Sequence, residues 1–320
     1  MAFSITKMKK IAPFVLLVFF ALLLSTGKYA YAVTDGVKLW AGYVLPSFLP
    51  YLFITAILSS LPVTFGIFNK LTFLTRKLFN VNGCAGYAFF MSAISGYPTG
   101  ALVTANLKES GLLSDKEAET CAILSSTSSP AFTIGVVGNL MFKNAMFGVL
   151  LYAANIICAI ITGMIFRRKE NRNGKTSLPV LKPKSKSFYD VTYSSVISVL
   201  VVGGVIAVFY ILSEILFSLK ILSPAVSLFS FLFQNETLGT GFTFGLLEFT
   251  RGLKIIGEVK ISYLSLPLAA FLCGFSGLSA ILQSLAYLKR AKIKTARFLL
   301  SKTVHAVLSF LLSLIFSLFL

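Results

Sequence analysis

The sequence predicts an all-α, polytopic membrane protein of roughly eight to ten membrane segments, at least two of them broken within the apolar region. Three observations carry this. Mean hydropathy is +0.85, with 56% hydrophobic and only 12% charged residues, too little polar surface for a soluble globule of 320 residues. Charge-free runs recur at 39–69, 78–107, 120–142, 144–166, 191–213, 261–288 and 303–320, most of them reaching the roughly 20 residues that one crossing needs. Several of these runs are interrupted by glycine, proline and hydroxyl clusters that a smooth helix does not tolerate.

The net charge of +18 does not point to nucleic acid. Its lysines and arginines form short clusters between apolar runs, which is the positive-inside signature of membrane topology. The expected partners are therefore the lipid bilayer and a small solute, with a homo-oligomer left open. The four cysteines (Cys84, Cys121, Cys158, Cys273) stand singly in apolar runs, with no spacing that would hold a metal.

Residues 1–34 combine Lys7, Lys9 and Lys10 with an apolar run at 11–24 and the triplet Ala30-Tyr31-Ala32, the outline of a signal peptide. Because the apolar stretch continues and a membrane domain follows, an uncleaved first helix is the expectation. The run from Leu39 to Leu61 has Pro46 and Pro50 four apart, so a second discontinuous element or a re-entrant hairpin is expected there. Lys70, Arg76 and Lys77 mark the next loop as cytoplasmic.

The run from Ala88 to Leu107 is broken by Ser95-Gly96-Tyr97-Pro98-Thr99-Gly100. Freed backbone groups cost several kcal/mol each in lipid, so this break belongs inside protein or beside a polar cavity. Ser114 and Glu117 then match a capping box. The helix it opens meets Ser125 to Ser129, one threonine among them, and then Pro130. Those hydroxyls either satisfy loosened backbone and bind a ligand or serve ordinary small-residue packing. A plain spanning helix is expected from Asn144 to Phe166.

The basic, proline-containing stretch 169–188 reads as a cytoplasmic linker between a first repeat at 35–168 and a second at 189–320. The second half offers a long run from Val191 to Leu219 with Gly203, Gly204 and Glu214, a short apolar piece from Pro224 to Phe233, and a glycine-rich segment from Thr237 to Ile256 around Glu248. Phe271 to Tyr287 is interrupted by small residues. Lys289, Arg290, Lys292, Lys294, Arg297 and Lys302 mark another cytoplasmic loop before a last helix from Thr303 to Leu320. FFMSAISGYPTG from Phe89 and FLCGFSGLSAIL from Phe271 repeat weakly at an offset of 182 residues, and CAILS and HAVLS at 184. Repeats with broken helices point to a transporter whose site lies between them.

Glu248 is the sharpest single candidate, since a lone carboxylate in a membrane segment faces a cavity, a partner or a substrate. Thr250 and Arg251 follow it and could pair with it or hold an anion. Half-helix ends around Gly96 to Gly100 and Gly274 to Gly277 would present unpaired N–H groups to such an anion, with Ser276, Ser279 and Gln283 adding neutral hydrogen bonds. Tyr97 could stack on a ring, and His305 reads first as a packed histidine and second as a proton carrier. No catalytic motif and no cofactor motif is present; a coupling ion, Na+ or H+, is all that gradient-driven transport would require.

The segments SGYPTGA, Ser126 to Gly138, GLLEFTRGLK and CGFSGLSAILQ, together with Gly36 to Ile54, resemble the Gate-domain, or nucleoside-recognition, family of bacterial membrane proteins, and most closely its sporulation branch. That resemblance covers nearly the whole chain. It implies a fold similar to concentrative nucleoside transporters, with Cys273 to Ile281 like their second re-entrant hairpin and Glu248 like their substrate-holding glutamate. Gly96, Pro98, Thr99, Ser128 and Pro130 match its first-half motifs, and Gly274, Ser276 and Ser279 its second. The function it implies is movement of a small anion, dipicolinate, across the mother-cell-derived outer forespore membrane during spore formation. Nucleoside transport and a non-transporting scaffold for spore-envelope assembly are the alternatives.

Overall fold

A computed structural model describes residues 26–58, 68, 72–168 and 187–319. The expectations for the run at 11–24, for Lys70 and for the linker interior at 169–186 lie outside those residues. Among the described residues every regular element is helical, as apolar backbone in a bilayer requires.

The chain opens with α1 (Thr26–Leu39) and α2 (Leu45–Leu58), joined without a gap through a π turn at Trp40–Val44. The expectation of a hairpin or break at Pro46 and Pro50 is therefore corrected: 29–58 is one 30-residue apolar helix. The Leu45 N–H reaches back to the Trp40 carbonyl, so the widened turn just before Pro46 absorbs the missing donor and the helix continues.

Three elements then follow in order. Helices α3 (Thr72–Phe79), α4 (Gly83–Ser95) and α5 (Thr99–Glu109) come first, and α4 and α5 fold back on each other about Gly96–Pro98. A Cβ at Gly100 would lie 2.7 Å from the Ser92 hydroxyl, eight residues earlier, which only a hairpin permits. Next, α6 (Asp115–Leu124), opened by the expected Ser114–Glu117 capping box, gives way to non-helical chain at Ser125–Ser129 and then to a π helix at Ala131–Met141. Last comes the unbroken α7 (Ala145–Ile165), capped by Asn144. The exposed turn between α5 and α6 carries a Lys108–Asp115 ion pair at 2.5 Å, which holds the Asp115 carboxyl below its ordinary value.

The second half begins with α8 (Phe188–Ser218) and α9 (Ser223–Phe233), then repeats the same order. Helices α10 (Glu236–Leu247) and α11 (Phe249–Ile256) form a hairpin with Glu248 at its tip in extended conformation. The arms touch through glycine: a Cβ on Gly252 would sit 2.3 Å from Gly245 Cα, the close approach that small residues allow. Helices α12 (Ser265–Phe275) and α13 (Gly277–Arg290) are two parts of one 26-residue apolar span interrupted at Ser276. Helix α14 (Ala296–Phe316) closes the chain.

Two expectations change here. Cys273–Ile281 lies in a broken through-helix, and the hairpin of the second half is at Glu236–Ile256. The repeat consequently runs hairpin, broken helix, spanning helix in both halves, at an offset of about 150 residues, so that SGYPTG corresponds to the Glu248 tip and Ser125–Pro130 to Ser276. Helix α14 also starts seven residues before the expected Thr303, which takes Lys302 out of the loop and into the helix.

Candidate functional site

The tips of the two hairpins meet. Gly96, at φ 77°, turns the chain after α4, and the Tyr97–Pro98 peptide is cis. The Tyr97 ring packs edge-on against Phe249 of the second tip at 5.3 Å between centres. Its hydroxyl shares a hydrogen bond with Ser128 at 2.7 Å and donates to the Cys273 carbonyl at 3.3 Å. One tyrosine thus joins the first hairpin to both broken helices. Gly277, at φ 65°, completes the junction, since a Cβ there would lie 2.9 Å from the Phe249 nitrogen.

The unwound stretch Ser125–Ser129 is wholly buried, and its polar groups are met one by one. Ser92 donates to the Ser125 carbonyl at 2.8 Å and accepts from the Thr127 amide and hydroxyl at 3.3 and 2.9 Å. The Ser128 amide donates to Asn155 Oδ1 at 2.9 Å, and Ser129 accepts the Phe132 amide at 3.2 Å. The loosened backbone is therefore held mainly by Ser92 and Asn155 from neighbouring helices, with Ser129 capping the helix that follows. Gly100 is pressed against this strand, where a Cβ would come 1.7 Å from the Ser125 oxygen. Pro130 leads into the π helix, whose Phe132 packs on Phe249 at 5.0 Å.

Between the tips lies a small cavity lined by Tyr97, Pro98, Glu248, Thr250, Ser279 and Gln283, with Val44, Phe48, Phe132, Val202, Ile206, Phe249 and Ala280 supplying its apolar walls. The space open to the centre of a water-sized molecule is about 20 Å³, enough for a water and far too little for a drug-sized solute.

Glu248 is 0% exposed. Its Oε2 accepts the Arg251 amide at 2.7 Å, capping α11, while Oε1 has no hydrogen-bond partner. Thr250 Oγ1 and Gln283 Oε1 are likewise buried without a hydrogen bond of regular geometry, the Thr250 hydroxyl lying beside the Glu248 carboxylate. Three such atoms lie on the wall of one cavity, where a buried polar group without a partner is costly.

The Arg251 guanidinium turns the other way. It is ion-paired with Glu214 of α8, donates to Ser213 and to the Tyr210 carbonyl, and lies over the Tyr210 and Phe244 rings at 4.1 and 4.0 Å. It anchors the hairpin to α8 and does not line the cavity. Three other candidates are structural in their contacts. Gly274 lies against α14, where a Cβ would be 2.9 Å from Ala306 Cα; the Ser276 hydroxyl donates to the neighbouring Phe275 carbonyl at 2.5 Å; Thr99 begins α5. Of the fifteen candidates, Tyr97, Pro98, Glu248, Thr250, Ser279 and Gln283 are brought together around the cavity.

Lys302 was missed. It is 1% exposed on α14, its ammonium donates to Ser126 at 3.1 Å and stands 5.4 Å from the centre of the Tyr97 ring. No carboxylate lies within ion-pair distance of it among the described residues. A sequence signal existed: Ser301, Lys302, His305, Ser309 and Ser313 recur at helical spacing, and all are buried. His305 Nε2 donates to the Asn155 carbonyl at 3.0 Å, as a packed histidine does.

The chain is 31% identical over 308 aligned positions to the sporulation integral membrane protein YlbJ of Bacillus subtilis (strain 168), a match spanning 86% of this chain and 74% of that protein. No family profile matches it. Its fold superposes on a solved structure of a CNTnw variant in an outward-facing state with a TM-score of 0.60 at 13% identity, covering 97% of this chain and 84% of the other. The paired hairpins and broken helices are thus those of a concentrative nucleoside transporter fold, and the sequence match makes this chain a member of the family of the sporulation integral membrane protein YlbJ.

Proposed function

We propose that this integral membrane protein is a gradient-driven carrier, not an enzyme, and that its solute is a small planar anion of the dipicolinate type, moved across the outer forespore membrane during spore formation. The observation that carries the reading is the small cavity between the hairpin tips with Glu248 Oε1, Thr250 Oγ1 and Gln283 Oε1 on its wall without regular hydrogen-bond partners. Tips on separate hairpins can part and close around a solute, which is what alternating access requires. Lys302 supports an anion: a buried amine with one hydroxyl partner stands over the cavity's tyrosine without a carboxylate partner among the described residues, and a bound anion would supply the counter-charge that holds its proton.

A second reading, nucleoside transport, draws on the cavity's acceptor atoms, since a carboxylate and an amide oxygen suit the hydroxyl groups of a sugar. Vesicles carrying this chain decide between them. Dipicolinate is expected to accumulate, Glu248→Ala to abolish accumulation with normal expression, and excess uridine or adenosine to leave it unchanged. Competition by nucleosides would favour the second reading. Normal sporulation-linked function with no solute movement would favour an envelope scaffold.

A further inference from the structure

We infer that an anionic solute binds only when Glu248 carries a proton, so that each solute crosses with one proton. This rests on the anion reading above. Two of the three polar atoms left open on the cavity wall, Glu248 Oε1 and Gln283 Oε1, are acceptors, and the third, Thr250 Oγ1, is a hydroxyl. An ionised carboxylate offers a carboxylate solute no hydrogen bond, and like charges at contact in a low dielectric repel. A protonated Glu248 reverses this: its O–H becomes a donor aimed into the cavity, while Oε2 continues to accept the Arg251 amide. The geometry leaves the proton one place to sit, because Oε2 is already engaged and Oε1 is not.

The surroundings supply no other neutraliser at this carboxylate. On its own hairpin, Arg251 is committed to Glu214 and Ser213 of α8. From α8 the facing titratable groups are Glu214 and Tyr210; from the first hairpin, Tyr97, whose hydroxyl is bound to Ser128 and Cys273; from α12, Cys273. The π helix contributes Phe132, and α13 contributes Ser279, Ala280 and Gln283, none of them titratable. Lys302 stands over the Tyr97 ring and is bonded to Ser126, and it makes no ion pair with Glu248. The step balances: one dianion and one proton enter, a Glu248–Oε1–H···⁻O hydrogen bond forms, and both leave when the tips part on the other side.

The test is dipicolinate binding to the purified full chain between about pH 6 and 8, where the solute's own carboxyls stay ionised. Affinity is expected to tighten as the pH falls, approaching tenfold per unit where Glu248 of the free protein is ionised and levelling off where it is already protonated, because binding takes up a proton only in the ionised range. Calorimetry in two buffers of different ionisation enthalpy is expected to show that uptake directly in the wild type. Glu248→Gln mimics the protonated acid and is expected to bind with a flat pH profile. A flat wild-type profile, or binding without proton uptake, overturns the inference and leaves the carrier reading standing. Absence of dipicolinate binding by the wild type at any pH overturns the anion reading itself.

Discussion

The two polar breaks that meet at the cavity are furnished in opposite ways. Around Ser125–Ser129 and Gly96, the loosened backbone and nearby side chains find partners in Ser92, Asn155, Tyr97 and Lys302. At the Glu248 tip a carboxylate oxygen, a hydroxyl and, across the cavity, an amide oxygen have no hydrogen bond of regular geometry. The first break is mostly closed, a frame with Asn155 Nδ2 the open atom beside it, whereas the open atoms of the second line the cavity. On the proposed carrier reading, the difference gives the first half mainly a positioning role and the second mainly a recognition role.

Substitutions can sharpen or break that contrast. The largest effect is expected from Gly100→Leu, where a Cβ would overlap the Ser125 oxygen at 1.7 Å. Loss of more than about 4 kcal/mol is expected, seen as failure to recover folded protein in detergent. If Gly100→Leu instead folds and only transport falls, the frame is softer than its bonding suggests. Next comes Arg251→Met, which strands Glu214 and unpins the second hairpin from α8. Destabilisation of about 3 kcal/mol is expected, and a thermal unfolding assay on Arg251→Met with Glu214→Gln should show the double change costing less than the sum of the two.

The smallest effect on stability is expected from Thr250→Val. Its hydroxyl is buried without a hydrogen bond of regular geometry, so its removal should change stability by less than about 0.5 kcal/mol or raise it. Solute affinity should nonetheless drop several-fold. The matching change in the frame, Ser92→Ala, removes three hydrogen bonds and should cost about 1 to 2 kcal/mol without altering affinity in the molecules that fold. An inverted outcome for this pair would erase the distinction between the two breaks.

Much of this was readable from residue order. Proline, glycine and hydroxyl runs in charge-free segments marked both breaks of the first half, and an isolated acid marked the second hairpin's tip. The repeat was legible, but its register was not. SGYPTG and CGFSGLS look alike because both interrupt helices with small residues, yet one is a tip that folds back and the other a kink in a through-going span. Composition sees the interruption; only the direction of the chain after it separates the two cases. Lys302 was hidden for a related reason, since it follows a basic cluster and its burial depends on α14 beginning at Ala296.

By itself the sequence determined what depends on local covalent chemistry and on transfer from water. It set which stretches must lie in lipid, where a helix loses its donors, and that a lone carboxylate in such a stretch needs a reason. The tertiary structure alone decided which polar atoms find partners. Arg251 follows Glu248 by three residues, yet helical geometry sends its guanidinium to α8 and leaves Glu248 Oε1 open to the cavity. Hydrogen bonding between segments more than a hundred residues apart depends on how the hairpins dock, and no local pattern encodes that.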